Sequence, residues 1–235
     1  MIKEPLINIL IRTSGRPVYF KKCIDSIRKQ DYSNYRILIS YDIKEDLKYI
    51  KSNTNSNDFI LFCKISDSVK DNFPYNLYIN DLYEFVTNGW ILVLDDDNMF
   101  ISNESLTKVA KSLKKENQLV IWKVKLFDKV IPSKSFNKQP TLYDIDSSNF
   151  IFHSTYKNKL GQWDGNKCAD FRLALKLYKN LDATIWIDEL IIASQRKHIY
   201  GGKGMRDDAN YSLPFNKKIS NKVKMFLWKL KQGMK

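Results

Sequence analysis

The first half of the chain alternates short apolar runs with stretches of helical periodicity. The run at residues 7–11 is apolar except for Asn8, and polar residues and Gly15 follow it, as expected for a buried parallel strand. After Pro17, a residue that favours a helix start, apolar side chains recur three or four positions apart. Further strands are predicted at residues 36–41, 59–64 and 90–94. Further helices are predicted at residues 45–49 and 75–88.

This alternation predicts an α/β domain with a mostly parallel central sheet flanked by helices. Ligands of such sheets bind beyond the carboxyl ends of the strands. Polar side chains follow each predicted strand: Arg12, Thr13, Ser14 and Arg16 after the first, Asp42 after the second, Lys64 after the third, and Asp95, Asp96 and Asp97 after the fourth. We therefore expect these side chains to surround one ligand site.

The second half of the chain is less regular. Residues 120–126 alternate as a half-buried strand does, and residues 170–178 have helical periodicity. Shorter strands are predicted at residues 149–153, 183–187 and 190–194. The length of 235 residues suits one α/β core. We expect a single domain over residues 1–213.

Residues 214–235 predict a basic amphipathic helix. Its apolar face carries Ile219, Val223, Phe226 and Leu230, and lysines cover much of the remainder. A helix of this kind, here with Trp228, is typical of membrane-surface binding. It also fits a helix that packs its apolar face on the domain and leaves its lysines in water. The sequence leaves both readings open.

Composition is that of a globular protein, with 43% hydrophobic residues. The three cysteines stand in dissimilar settings, and because the first residues lead directly into a predicted strand we expect no signal peptide. We expect a cytoplasmic protein with reduced thiols, peripheral on the membrane if residues 214–235 bind it. The net charge of +13 favours polyanionic partners, or reflects a Lys-, Asn- and Ile-rich composition. No nucleic-acid-binding motif accompanies this charge, so we expect no nucleic acid as partner.

Asp95, Asp96 and Asp97 form an acidic cluster directly after a fully apolar run. Carboxylates this close repel one another unless a cation lies among them. Hard oxygen ligands suit Mg²⁺ or Mn²⁺, which take one or two carboxylates together with phosphate oxygens of a substrate. Such an ion would stabilise a departing diphosphate. The alternative is a solvated acidic turn, which is common at strand ends.

Three segments, taken in order, resemble the family 2 glycosyltransferases of GT-A fold. The first runs from Ile9 to Pro17 and continues through residues 23–32. The second combines Asn80, Gly89, an apolar strand and Asp95-Asp96-Asp97 as an Asp-x-Asp motif. The third leads from Trp163-Asp164-Gly165 to Asp170. The resemblance covers roughly residues 6–198. If the domain is divided at all, we expect residues 1–98 to form a nucleotide-binding half and residues 99–213 an acceptor half.

The resemblance implies a metal-dependent, inverting transfer of a sugar, with Mn²⁺ or Mg²⁺ as cofactor. Its donor would be a nucleotide sugar, with UDP the expected nucleotide and GDP or dTDP as alternatives, and its acceptor would be a glycan or a lipid-linked acceptor. The implied general base is Asp170. The implied metal ligands are Asp97, Asp95 and His198, and the loop Gly201–Gly204 would close over the diphosphate. The implied donor-binding residues are Thr13, Arg16, Asp42, Lys64, Asn76, Asn80, Asp95 and Asp96.

One departure from the family is Ala169, where a Glu usually precedes the base. We therefore expect Arg172 or Trp163 to orient the carboxylate of Asp170. If Asp170 is not the base, the candidates are Asp144, Asp146 and Asp164. A retaining GT-A transferase would use the same metal site without that base. A sugar nucleotidyltransferase would want a Gly-rich basic loop after the first strand, and a nucleic-acid-binding module would use the positive surface alone.

Overall fold

The computed structural model describes residues 4–64, 71 and 73–196. The strands are β1 Ile7–Thr13, β2 Tyr35–Tyr41, β3 Phe59–Phe62, β4 Trp90–Val93, β5 Asn98–Phe100, β6 Gln118–Leu126, β7 Lys129–Ile131, β8 Phe150–His153 and β9 Ala183–Ser194. The helices are α1 Pro17–Arg28, α2 Leu47–Asn53, α3 Tyr78–Tyr83, α4 Ser105–Ser112 and α5 Ala169–Asn180. Short 3-10 turns include Pro74–Leu77, before α3, and Ser147–Asn149, before β8.

The strands form one sheet in the order β3-β2-β1-β4-β8-β6-β9-β5, with β7 paired to β6. The first four strands of this order are parallel, because helical segments connect them in sequence. Beyond β4 the sheet is mixed: β8 is antiparallel to both β4 and β6. The predicted α/β fold is confirmed, and the sheet is more mixed than the sequence pattern indicated. The difference arises where β8 enters from a 3-10 turn without a preceding crossover helix.

Helices cover both faces of the sheet. Apolar side chains of α1, α2 and α4 pack with Ile7, Ile9 and Ile11 on one face. Side chains of α3 and α5 pack with Leu10 on the other face. The alternation along β1 follows from the period of two in a strand. Both faces are buried, which explains the continuous apolar run of this strand.

Several element boundaries differ from the prediction. The helix predicted over residues 75–88 is a 3-10 turn followed by α3, which ends at Tyr83. The two predicted closing strands are one strand, β9, and its pairing with β6 is interrupted by register shifts. Strands β5 and β7 were not predicted, because three residues are too few to establish a periodicity.

None of the described helices is long and apolar enough to cross a bilayer. The predicted amphipathic helix, at residues 214–235, lies outside the described residues, as do His198 and the loop Gly201–Gly204.

Candidate active site

A cleft of about 290 Å³ opens at the carboxyl ends of β1 and β4. These strands are parallel neighbours, so the residues that follow them meet at the same edge of the sheet. The cleft brings together most of the residues that the sequence pointed to. Its lining includes Thr13, Arg16, Asp42, Asn76, Asp95, Asp97 and Asp170.

Three predicted site residues do not line the cleft. Lys64 is exposed beyond the end of β3 and does not line this cleft. Asp96 is fully buried beneath the lining. Asn80 holds the backbone of Trp163: its Nδ2 donates to the Trp163 oxygen at 2.8 Å, and its Oδ1 accepts from the Trp163 nitrogen at 2.9 Å. Asn80 therefore acts on the cleft through the residue that it positions.

The turn after β1 places Arg16 over the acidic cluster. Gly15 has φ +66°, and its N–H donates to the carboxylate of Asp46 at 2.7 Å. This left-handed conformation suits glycine and reverses the chain before Pro17 begins α1. Arg16 then donates from Nε to Asp96 at 3.1 Å and from Nη1 to Asp97 at 2.9 Å. The turn thus places the guanidinium of Arg16 against two carboxylates.

The second arginine of this strand end neutralises the first aspartate. Arg12 donates from Nη2 to Oδ1 of Asp95 at 2.6 Å, and Ser147 donates to Oδ2 of the same carboxylate at 2.8 Å. Burial opposes the charge of Asp95, but the charge and hydrogen bonds of Arg12 outweigh it and lower the pKa of Asp95. The guanidinium also lies over two aromatic rings, 5.6 Å from the Trp163 centroid and 6.0 Å from that of Tyr75.

A third arginine reaches the cluster from the far end of the described chain. Arg196 follows β9 and donates from Nη1 to Oδ2 of Asp97 at 3.1 Å. The backbone oxygen of Asp97 accepts from the N–H of Gln195 at 2.7 Å, which fixes this approach. Asp96 lies deepest: burial and the neighbouring charges of Asp97 and Asp95 raise its pKa, against the opposing charge of Arg16.

A divalent cation at this edge would have to be held jointly by the protein and by a substrate. Among residues 4–64, 71 and 73–196, no three acidic, histidine or cysteine side chains converge into a complete metal shell. Mg²⁺ and ions like it are commonly held by one or two carboxylates plus substrate phosphates, without a full protein cage. Asp97 lines the cleft and could offer a carboxylate of this kind, but its Oδ2 already accepts from Arg16 and Arg196. The oxygens of Asp95 are already engaged by Arg12 and Ser147.

Asp170 lies in the first turn of α5, at the wall of the cleft. Its Oδ1 accepts from the N–H of Phe171 at 2.8 Å. Burial and the charge of Asp146 raise the pKa of Asp170 to about 7. The expectation that Arg172 orients this carboxylate is wrong, because Arg172 forms a two-pronged pair with Asp164 at 2.6 and 2.7 Å.

Comparison with known proteins identifies the fold. No family model matches the sequence, and no curated protein matches it. Among solved structures, the chain is similar to TarS 1-349 from S. aureus, with a TM-score of 0.65 at 13% identity over 81% of this chain and 60% of that one. It is also similar to the same protein in complex with UDP-GlcNAc, with a TM-score of 0.63 at 14% identity over 88% and 62%.

A third similar structure is the mannosyltransferase PcManGT from Pyrobaculum calidifontis in complex with GDP-Man and Mn²⁺. Its TM-score is 0.59 at 12% identity, over 83% of this chain and 58% of that one. This chain has the GT-A fold. It spans about 60% of the length of the solved chains described here.

The sequence indicated Asp146 only as an alternative to Asp170 as the general base. In the structure Asp146 lines the cleft and is the N-cap of the 3-10 turn Ser147–Asn149. Its N-cap role was readable from the sequence Asp146-Ser147-Ser148-Asn149, since Asp is a preferred N-cap residue. Its electrostatic influence on Asp170 was not readable, because the two residues belong to segments that are separate along the chain.

Proposed function

We propose that the chain is a glycosyltransferase that moves a sugar from a nucleotide-sugar donor to a hydroxyl acceptor with inversion at the anomeric carbon. The observation that carries the proposal is the presence, in one cleft, of two arginines held in place and a carboxylate whose pKa is raised. The arginines are Arg16 and Arg196, and the carboxylate is that of Asp170. The fold shared with proteins solved with UDP-GlcNAc or GDP-Man supports it.

These two arginines suit the diphosphate of a donor. Arg16 and Arg196 both reach Oδ2 of Asp97, so their guanidinium groups are held in place before a ligand arrives. Preorganised donors of this kind stabilise charge that develops on a leaving diphosphate. We assign Thr13 and Asp42, which line the neighbouring wall, to the nucleoside. We assign Asn76, whose side chain accepts from Arg12 at 2.6 Å, to the same part of the site.

The metal ligands remain a proposal. Asp97 would hold Mn²⁺ or Mg²⁺ together with the donor phosphates. The resemblance also implies Asp95 and His198 as ligands, and Asp95 would have to give up a bond to Arg12 or Ser147 to bind the ion. When bound, the ion would supply additional positive charge to the leaving diphosphate.

The chemistry proposed for Asp170 is general-base catalysis. Its carboxylate takes the proton of the acceptor hydroxyl as the acceptor oxygen bonds to the anomeric carbon. The bond from that carbon to the phosphate oxygen breaks, and the nucleoside diphosphate leaves with the electron pair. A base that titrates near the working pH is best matched to such a proton transfer, and the pKa of Asp170 is raised to about 7.

The test begins with binding. Thermal unfolding is measured with UDP, GDP, CDP and dTDP, each with Mn²⁺ and with EDTA. A ligand at 100 times its dissociation constant stabilises the fold by about 2.7 kcal/mol, which shifts the melting temperature measurably. We expect one diphosphate to give the largest shift, and Arg16→Ala to reduce it. The proposal fails if none of the four shifts the wild-type transition.

Stereochemistry then tests the mechanism. With a donor carrying the preferred nucleotide, the anomeric configuration of the product is read by proton NMR. An inverted product supports Asp170 as base, and a retained product assigns the cleft to a retaining transferase. The acceptor, and membrane contact through residues 214–235, remain proposals that rest on the sequence.

A further inference from the structure

The hairpin that joins β6 to β7 reaches the cleft at the carboxyl edge of the sheet. Strand β8 is antiparallel to both β4 and β6, so β6 runs in the same direction as β4. The carboxyl end of β6 therefore lies at the same edge as that of β4, two strands or about 10 Å away. Strands β1 and β2 lie on the other side of β4. The hairpin thus approaches the cleft from the side opposite to Thr13 and Asp42, which stand at the ends of β1 and β2.

The turn of this hairpin has a large side chain at a strained position. Leu126 pairs with Lys129, so the turn consists of Phe127 and Asp128 alone. Phe127 has φ +57°, in the left-handed region. Hairpin turns of two residues usually take glycine, asparagine or aspartate where φ is positive, because a larger side chain is strained there. A phenylalanine weakens such a turn, so packing or a ligand has to account for its ring.

The ring of Phe127 does not belong to the core. Leu126, the residue before it, packs against the core cluster that includes Ile7, Ile9 and Ile11. Within the part of the chain that the structure describes, Phe127 is half-buried and belongs to neither core cluster. It lines the cleft instead. Backbone strain of this kind is concentrated at ligand-binding sites. The combination indicates that the ring packs against a ligand of the cleft.

The hairpin is fixed to the sheet at its base. Nδ2 of the buried Asn149 donates to the backbone oxygen of Trp122, in β6, at 2.8 Å. The same nitrogen donates to the backbone oxygen of Ile131, in β7, at 3.1 Å. One amide thus ties both strands of the hairpin to the turn Ser147–Asn149. A ring on a support that is already ordered loses little conformational freedom when a ligand binds.

The cleft around Phe127 combines this apolar ring with groups that bind hydroxyls. Ser147 and the carboxylates of Asp146 and Asp170 line the same cleft. Hydroxyl and carboxylate oxygens accept hydrogen bonds from the hydroxyls of a sugar. The C–H groups on one face of a pyranose are apolar, and an apolar wall with a few polar groups is the usual form of a small-molecule site. The surroundings of Phe127 are therefore complementary to a sugar ring.

We propose that Phe127 is the stacking residue of an acceptor subsite: the apolar face of a pyranose acceptor packs on its ring while a hydroxyl of that pyranose reaches Asp170. The inference rests on the proposed function, because it assigns a carbohydrate to the hydroxyl that Asp170 deprotonates. The nucleoside is assigned to the ends of β1 and β2, so a sugar held across β4 from them is the acceptor.

Binding of simple sugars tests the subsite without any donor. Saturation-transfer NMR is recorded with the methyl glycosides of β-glucose, β-galactose, α-mannose and β-N-acetylglucosamine. We expect at least one to bind the wild type and Phe127→Gly to weaken its affinity about tenfold, the equivalent of covering about 55 Å² of apolar surface. Phe127→Tyr, which keeps the flat ring, should keep the affinity. Absence of binding by all four glycosides, or an unchanged affinity in Phe127→Gly, overturns the proposal.

The same variant separates the ring from the fold. Glycine adopts φ +57° without strain, so Phe127→Gly should not lower the midpoint of urea unfolding. A lowered midpoint would assign the ring to the fold and overturn the proposal. Tyr143→Gly is the matched control. Tyr143 is another aromatic residue with positive φ, +66°, and it is exposed and does not line the cleft. Its replacement should leave the glycoside affinity unchanged.

Kinetics then distinguish the acceptor from the donor. Release of nucleoside diphosphate from UDP-GlcNAc and GDP-Man is measured with the glycoside that binds. Phe127→Gly should raise the KM of the glycoside about tenfold and leave the KM of the donor unchanged. A raised KM of the donor alone would place the donor sugar on the ring and overturn the acceptor subsite. Absence of release from both donors, with normal glycoside binding to the wild type and its loss in Phe127→Gly, would reject the proposed function and keep the stacking residue.

Discussion

Asp170→Asn should abolish most of the transfer and stabilise the protein at the same time. The substitution is nearly isosteric, and the side-chain oxygen of Asn can still accept from the N–H of Phe171. Loss of a general base lowers turnover by roughly 10²–10⁴-fold. Donor binding should stay near normal, because Arg16, Arg196 and Asp97 are unchanged. Isothermal calorimetry with the nucleoside diphosphate and turnover at saturating donor and acceptor measure the two effects.

The stabilisation follows from the sign of the pKa shift. The pKa of Asp170 rises from its ordinary value of 3.8 to about 7 in the folded state. Between these values the folded protein holds a proton that the unfolded chain has released, so stability falls as pH rises. Each unit corresponds to about 1.4 kcal/mol, which sets an upper limit of about 4 kcal/mol above pH 7. Since Asp170 is only partly shielded from solvent, we expect Asp170→Asn to raise the free energy of unfolding by about 1–2 kcal/mol at this pH.

Urea unfolding at pH 4.5 and pH 8 checks this. Asp170→Asn should exceed the wild type in free energy of unfolding at pH 8, by more than at pH 4.5. An equal difference at both pH values would mean that folding does not raise the pKa of Asp170. Transfer at a near wild-type rate would show that Asp170 is not the base. Joint loss of donor binding and transfer would make it a structural residue of the cleft.

Three further outcomes are expected. Asp97→Ala should make UDP affinity independent of Mn²⁺ in calorimetry, whereas equal wild-type affinity in EDTA and in Mn²⁺ would assign the neutralising charge to arginine alone. Gly89→Ala should lower the free energy of unfolding in urea by about 2–3 kcal/mol, because φ is +89° and the new Cβ would lie 2.7 Å from a backbone oxygen. Gly15→Ala should lower it by about 1 kcal/mol, because φ is +66° and the nearest contact of the new Cβ is at 3.8 Å. Equal losses in the two variants would show that the clash at Gly89 has no effect. Asn80→Ala leaves the Trp163 backbone without two bonds and should lower the free energy of unfolding by about 1–3 kcal/mol, whereas an unchanged urea midpoint would show that these bonds are dispensable.

The sequence predicted the position of the site better than its internal arrangement. An apolar run that delivers three aspartates to a sheet edge is a local pattern, and Asp95 and Asp97 do line the cleft there. The direction of each side chain depends on partners from elsewhere. Arg196 meets Asp97 only because β9 runs beside β6 and β5 and ends at the same edge. The pattern of apolar positions along the chain contains no information about a contact between residues 99 positions apart.

The sequence did not predict elements that depend on pairing with a distant strand more than on the preferences of their own residues. Strand β7 is only three residues long and exists through its pairing with β6. The break expected between residues 187 and 190 is a register irregularity within β9, because the neighbouring strand continues past it. Asn80 carried a motif resemblance, yet its two bonds to Trp163 depend on a segment 83 residues away.

The arginines and aspartates at the sheet edge cancel one another in charge, and this affects how a donor would arrive. Arg12, Arg16 and Arg196 stand against Asp95, Asp96 and Asp97, so this part of the cleft contributes little net field. The overall charge of +13 is carried by other parts of the chain. A dianionic nucleotide would then be steered by long-range attraction and held by short, shielded contacts. Added salt should therefore slow its association far more than it hastens its dissociation, because screening weakens only the long-range part.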